Sequence, residues 1–282
     1  MPDFGVELMH DRPRTDAELG DLFAGGWPAF INADQEAAQA LPRVRELFAD
    51  LEVVLVDRRS DTLVAACWAV PIRWDRTLGD LPAGYSASLT RALNDHDSGT
   101  AVNTAVVCAA QVKPNLVRTG LAAELLRALM TVTADRGLPQ AVAPLRLTGK
   151  HRYPLTPIND YLSWTRPDGS PFDAWLRTHL ALGAHVLKAA PTSQEFTGTC
   201  TQWEKWADLL MPASGTYIVR DALAPLHLDR HTDHGTMTEP AVWVQHRRRS
   251  LPPHLKSRPG HGPQGIHHRN GLSFETIRSS VL

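Results

Sequence analysis

Cysteine is scarce in this chain, and long apolar runs are missing. Cys67, Cys108 and Cys200 are odd in number and far apart, two of them inside apolar strand-like runs. That spacing excludes a disulfide framework and predicts reduced, buried thiols. No stretch is long and apolar enough to span a bilayer as a helix, and no apolar run follows a basic start, so a cytoplasmic protein is expected. An excess of one charge is missing too. The 29 Lys and Arg residues against 30 Asp and Glu leave a net charge of −1, without the basic field that nucleic acid or an anionic membrane would require. No G-x-S-x-G elbow and no G-x-G-x-x-G turn occurs, which argues against a serine hydrolase and a dinucleotide-binding Rossmann unit. His227, His231 and His234, with Asp229 and Asp233 between them, come nearest to a metal set. Pro225 and Gly235 bracket that run in a strand-like context, and no metal is expected.

What the chain does have is 43% hydrophobic and 21% charged residues over 282 positions, enough for a substantial core in one or two domains. Residues 5–9 read as a first strand. Thr15, Asp16, Ala17 and Glu18 have capping-box spacing for a helix reaching about Phe23, stopped by Gly25 and Gly26. A second helical region spans about 34–48, where Pro42 is expected to open a new turn because it lacks the N–H that a helix interior needs. Two β-rich runs, 51–57 and 62–70, are separated by a polar tetrapeptide and read as a hairpin. Residues 72–99 read as loop with a short helix at 87–93.

Residues 104–112 form an almost unbroken apolar run of strand length ended by Pro114, as expected of a central strand covered on both faces. Beyond it Leu116, Leu121, Leu125, Leu126, Leu129, Met130 and Val132 keep helical spacing, and Gly137 supplies the stop. The pattern predicts a helix from about Val117. Its first turn, Val117, Arg118, Thr119, Gly120, Leu121 and Ala122, would offer unpaired N–H groups and two small residues to a bulky anion such as a pyrophosphate. The stretch resembles motif A of the GNAT superfamily of acyl-CoA-dependent N-acyltransferases. Val112, Lys113 and Pro114 match the V-x-P at the strand end, and residues 117–122 match [RQ]-x-x-G-x-[GA], with Val117 in place of the usual Arg or Gln.

That resemblance implies an α/β (α+β) fold: a mixed, mostly antiparallel sheet flanked by helices, here with extra C-terminal strands. It also implies coenzyme A at Val112, Val117, Arg118, Thr119, Gly120, Leu121 and Ala122. The order of elements in the first half of the chain is similar to that family's as well. Residues 140–147 read as the next strand, weakened by Pro144. The long connection at 149–161 is where acceptor recognition is expected, with Lys150, Tyr153 and Tyr161 as contacts. A helix at 173–182 ends at Gly183, ahead of a strand at 184–190. The family's tyrosine proton donor, four residues before that glycine, is replaced here by His179, expected as the general acid for the leaving thiolate.

Many relatives carry a glutamate base six residues before the V-x-P valine. Here Val106 stands there, leaving a water relay, Glu195 or Glu239 to serve. Trp203 and Trp206 read as core anchors on a short helix, with further strands at 215–219, 226–229 and 237–244. The domain reading is a GNAT-like unit over 1–246, with a core at about 5–192 and added strands at 193–246. Residues 247–282, basic and proline-rich, are expected to be a disordered tail.

The function implied is transfer of an acetyl or longer acyl group to an amine of a small molecule or peptide. Acetyl-CoA or another acyl-CoA would be co-substrate, with an acyl carrier protein as alternative donor and no tightly bound cofactor. A homodimer is left open, and neither nucleic acid nor membrane is an expected partner. The competing reading is a GNAT-like acyl-CoA-binding or regulatory domain without turnover.

Overall fold

The computed structural model describes residues 3–23 and 26–246; the expected tail from 247 lies outside the described residues. Nine strands form one sheet: β1 Phe4–Leu8, β2 Glu52–Asp57, β3 Thr62–Ile72, β4 Thr104–Val112, β5 Gln140–Leu145, β6 Ala184–Gly198, β7 Gly215–Tyr217, β8 Leu226–Asp229 and β9 His234–His246. β1 to β5 lie side by side in chain order, β9 follows β5, and β9 carries β6 along its other edge. β8 and then β7 continue from the start of β9. Every pairing is antiparallel except that of β4 with β5. The helices are α1 Asp16–Phe23, α2 Gln35–Leu47, α3 Tyr85–Asp97, α4 Leu121–Asp135, α5 Ile158–Ser163, α6 Ala174–Ala181 and α7 Cys200–Ala207. Among the described residues no helix is long and apolar enough to cross a membrane.

Side chains alternate across the central strands and so feed two cores. Val106 faces a cluster with Leu41 and Val44 of α2, Leu89 of α3, Phe30, Phe196, Trp203 and Trp243. Its neighbours Ala105 and Val107 face the other side, against Leu121, Leu125, Leu126 and Leu129 of α4, Leu176 of α6 and Val244. The leucines of α4 recur at the spacing of one helical face, and that face is what the sheet covers. Trp203 is fully buried, donates its indole N–H to the Gly235 carbonyl at 2.9 Å, and meets Trp206 edge-on. These tryptophans are the anchors expected.

Several local expectations change, among them the strand expected at 184–190, which runs on to Gly198 as β6. α3 spans thirteen residues rather than seven. α2 runs unbroken through Pro42, with buried Ala37, Ala40, Leu41 and Val44 holding it to the core; packing outweighs the lost N–H. α4 begins at Leu121, not Val117, because Arg118 at φ 72° and Gly120 at φ 92° both sit in the left-handed region, which a right-handed helix cannot include.

Candidate active site

The parallel seam between β4 and β5 is short. It holds Thr104 to Gln140, Ala105 to Ala141 and Val106 to Val142, and then the strands part. β4 continues along β3 to Val112, whereas β5 turns to β9. At the parting point β4 bulges: Val107 faces Ala69 and Ala109 faces Trp68, leaving Cys108 without a partner across the strand pair. The gap opens into a cleft of about 830 Å³, within the size range of ligand sites. β4 residues 107–112 form one wall, and Ala143, Pro144 and Leu145 of β5 with Trp175, Thr178 and His179 of α6 form another.

At one mouth stands the start of α4. Val117, Arg118, Gly120, Ala122, Ala123 and Arg127 line it. Among the described residues no N–H of 118–122 donates to a protein acceptor, so unpaired donors are left at the positive end of a fifteen-residue helix. A Cβ on Gly120 would meet nothing within 4 Å; open space lies over the main chain. Val112 also lines the cleft. Thr119 and Leu121, expected at the coenzyme A site, are not among the residues lining the cleft: the Thr119 hydroxyl donates to the Leu116 carbonyl at 2.6 Å, and the Leu121 side chain is buried under α4.

At the other mouth, on the face of α2 and α3, the wall is Trp27, Ile31, Tyr85, Cys108, Ser193 and Gln194. β6 bulges here, since Ala190 faces Ala241 and Gln194 faces Glu239, with three residues of β6 opposite one of β9. The bulge presses onto the start of α3. The Tyr85 N–H donates to Ser193 Oγ at 3.0 Å, and a Cβ on Gly84 would lie 2.2 Å from the Ser193 Cα, so only glycine permits this approach.

The residues expected to bind the acceptor are elsewhere. Lys150 is 1% exposed, and its ammonium donates to the carbonyls of Tyr153 (2.7 Å) and Leu223 (2.8 Å). Burial pulls its pKa down, and it ties two loops together. Tyr161 is equally buried, and its hydroxyl donates to Asp173 Oδ2 at 3.1 Å; burial first and Asp173 next raise the phenol's pKa. Asp173 caps α6 by accepting from the N–H groups of Trp175 and Leu176. Tyr153 packs edge-on against Trp164 and Phe172. None of the three lines the cleft, and the 149–161 connection is a packed aromatic support for α6.

His179 does reach the cleft wall, in a state unlike the one expected. It is fully buried, stacked edge-on against Trp175, and its Nδ1 lies 2.8 Å from Nε2 of His246. Its own Nε2 is buried without a partner. Burial, with His246 adding to it, lowers its pKa to about 3, and burial lowers that of His246 to about 4. Both rings are therefore neutral at pH 7, and the expectation of an imidazolium acid is corrected to a neutral pair sharing one proton along the hydrogen bond. The proposed bases fare no better. Glu239 is 1% exposed, gripped in a fork by Arg146 and by the Leu223 N–H, and exposed Glu195 is absent from the cleft wall. Among the described residues no carboxylate lines the cleft. His227 and His234 bond neighbouring threonines.

Tyr85, Gln194 and Arg127 escaped sequence reasoning. Nothing local marks Tyr85 or Gln194, which are brought together by a bulge and a helix start 108 positions apart.

No family model matches the chain. Its sequence is 27% identical, over 247 residues covering 78% of this chain and 84% of the relative, to arginine N-acetyltransferase avaD of Aspergillus versicolor. Its fold is similar to that of the loading GNATL domain of CurA from Lyngbya majuscula, with a TM-score of 0.53 at 16% identity over 87% of this chain and 98% of that one. It is also similar to the GphF GNAT-like decarboxylase in complex with isobutyryl-CoA, with a TM-score of 0.50 at 18% identity and the same coverage. The chain has a GNAT-like fold, a mostly antiparallel mixed sheet flanked by helices with extra C-terminal strands.

Proposed function

We propose that this protein is an N-acyltransferase that takes its acyl group from a coenzyme A thioester. The observation that carries the reading is the parting of β4 from β5 directly above the free N–H groups at the start of α4. An extended pantetheine arm can lie along the unpaired edge of β4 as a third strand would. Its pyrophosphate then meets the helix start, with Arg118 and Arg127 on hand. An N–H of the bulged stretch around Cys108 is the donor this reading assigns to the thioester carbonyl, and a fixed donor there stabilises the oxyanion as it develops. The amine lone pair attacks the carbonyl carbon, the C–S bond breaks with its electrons on sulfur, and one amine proton ends on the departing thiol.

With no carboxylate on the cleft wall, the amine enters as the uncharged base and the enzyme's share is positioning. The neutral imidazole of His179 can still donate a hydrogen bond toward the wall if His246 donates to its Nδ1. Within this reading an acyl carrier protein, which presents the same arm, is an alternative donor, and the compartment is the cytoplasm. Because a relative is named arginine N-acetyltransferase, L-arginine is the first amine to test. Release of free thiol from acetyl-CoA and longer acyl-CoAs is measured against an amine panel. Amine-dependent release supports the reading, and tight coenzyme A binding without release for any amine refutes it.

A further inference from the structure

We infer that Tyr85 and Gln194 hold the acceptor amine, and that buried Asp34 sets the orientation of the Gln194 amide. The inference rests on the acyltransferase reading above and adds the residues that present the nucleophile. Asp34 is 1% exposed and caps α2, its Oδ1 accepting from the Ala37 N–H at 2.9 Å. Its Oδ2 accepts from the Ser86 hydroxyl and, at 3.2 Å, from Nε2 of Gln194. A carboxylate has no proton to give, so the amide nitrogen must face Asp34 and the amide oxygen must face away from it. Gln194 lines the cleft and is 9% exposed. Among the described residues its Oε1 has no protein donor, nor is it among the buried polar atoms left without a partner. It is a fixed acceptor open to the cleft.

Tyr85 stands beside it. Its ring is 8% exposed and packs edge-on against Trp68 at 6.2 Å, while its hydroxyl has no hydrogen-bond partner among the described residues. Burial, with Cys108 and Asp34 nearby, raises its pKa well above the ordinary value, so the hydroxyl stays neutral. Trp27, Ile31, Cys108 and Ser193 complete this wall.

A primary amine bound as the free base has two N–H groups to satisfy and one lone pair to aim. Two neutral oxygen acceptors on the α2–α3 face take the two N–H groups. The lone pair is left toward β4, where the thioester carbonyl sits. As the N–C bond forms, positive charge grows on nitrogen, and the same two dipoles stabilise it. No carboxylate lines the cleft to meet an ammonium ion directly, and the Asp34 carboxylate is engaged by the Ala37 N–H, the Ser86 hydroxyl and the Gln194 amide, so the site selects the free base.

The test uses the full chain with acetyl-CoA and a panel of L-arginine, benzylamine, phenethylamine and hydroxylamine. Tyr85→Phe removes only the oxygen, and Gln194→Met keeps length while removing both amide groups. Asp34→Asn keeps the α2 cap but puts an NH2 where Gln194 needs an acceptor, which invites the amide to turn over. Each change should lower kcat/KM for the amine by about tenfold or more, the size of one positioned hydrogen bond, while the Kd of coenzyme A stays within about twofold. Asp34→Asn and Gln194→Met should not add when combined, because both remove the same acceptor. Equal loss in coenzyme A affinity, or unchanged amine kinetics in all three variants, overturns the proposal. If the parent protein acylates no amine of the panel, the acyltransferase reading fails and the proposal with it. Turnover by the parent with additive effects overturns the positioning role of Asp34 alone.

Discussion

Gly120→Glu tests the coenzyme A site most directly. The residue precedes α4 at φ 92°, and a Cβ there meets nothing within 4 Å. The fold therefore pays backbone strain without a clash. A non-glycine residue in the left-handed region costs about 1–2 kcal/mol, and a carboxylate at a helix start returns about 0.3–1 kcal/mol. The net loss is about 1 kcal/mol, a fall in Tm of roughly 2–4 °C for a chain this size. Ligand binding suffers more. Each pair of like charges at about 4 Å costs about 1 kcal/mol even at the dielectric of water, and more where the cleft wall excludes solvent. Against the two charges of a pyrophosphate the penalty is about 2–3 kcal/mol, or roughly 30- to 150-fold in Kd. Gly120→Ala carries the strain without the charge and should change Kd by less than about threefold. Calorimetry with coenzyme A and a thermal melt of each variant separate the two terms, and raised salt should narrow the gap between them. A Gly120→Glu protein that melts within a few degrees of the parent and binds coenzyme A with the parent's Kd would show that the pyrophosphate sits elsewhere.

Without a carboxylate on the cleft wall, kcat/KM for the amine should rise with pH along the amine's own titration. Two acceptors of different basicity should then show midpoints that move with them, and a common midpoint near neutrality would reveal a protein base. The His179–His246 pair has folded pKa values of about 3 and about 4, below the ordinary histidine value. Between roughly pH 6.5 and those values the unfolded chain binds the more protons. The pair's contribution is therefore present above about pH 6.5 and is lost as pH falls. Tm should drop between pH 6.5 and 4, and His246→Gln should flatten that dependence; an unchanged slope would refute the pairing. Tyr161→Phe removes a hydrogen bond to Asp173 and should cost about 1–3 kcal/mol of stability while leaving KM for acyl-CoA and amine unchanged. A changed KM would return Tyr161 to the acceptor site.

The element order was readable because β4 and α4 carry their signals locally: an apolar run of strand length, then leucines at one-face spacing. The start of α4 was misplaced by four residues because Arg118 takes a positive φ, and nothing about an arginine announces that. Lys150 and Tyr161 lie in a long connection that reads as the place of acceptor recognition. Their partners, the Leu223 carbonyl 73 positions away and the cap of α6, come together only in the folded chain. His179 was found by spacing, yet its charge state depends on His246, 67 positions downstream. Spacing can find a position but not its dielectric. Tyr85 and Gln194 mark the limit of local reading, since each is ordinary in its own segment and gains meaning from the β6 bulge.

The three-rung seam between β4 and β5 has a mechanical consequence. The sheet consists of two antiparallel ribbons, β1 to β4 and β5 to β9, joined within the sheet by three residue pairs and held on both faces by the two cores. On the proposed reading, a ligand lying in the gap would add rungs that the polypeptide omits, and the substrate would complete the framework of the protein that consumes it. Amide protons of residues 107–112 and 143–145 should then exchange more slowly with coenzyme A bound, and those of the outer strands should be indifferent. Product release, which removes those rungs, would loosen the joint at the moment the next donor has to thread between the ribbons.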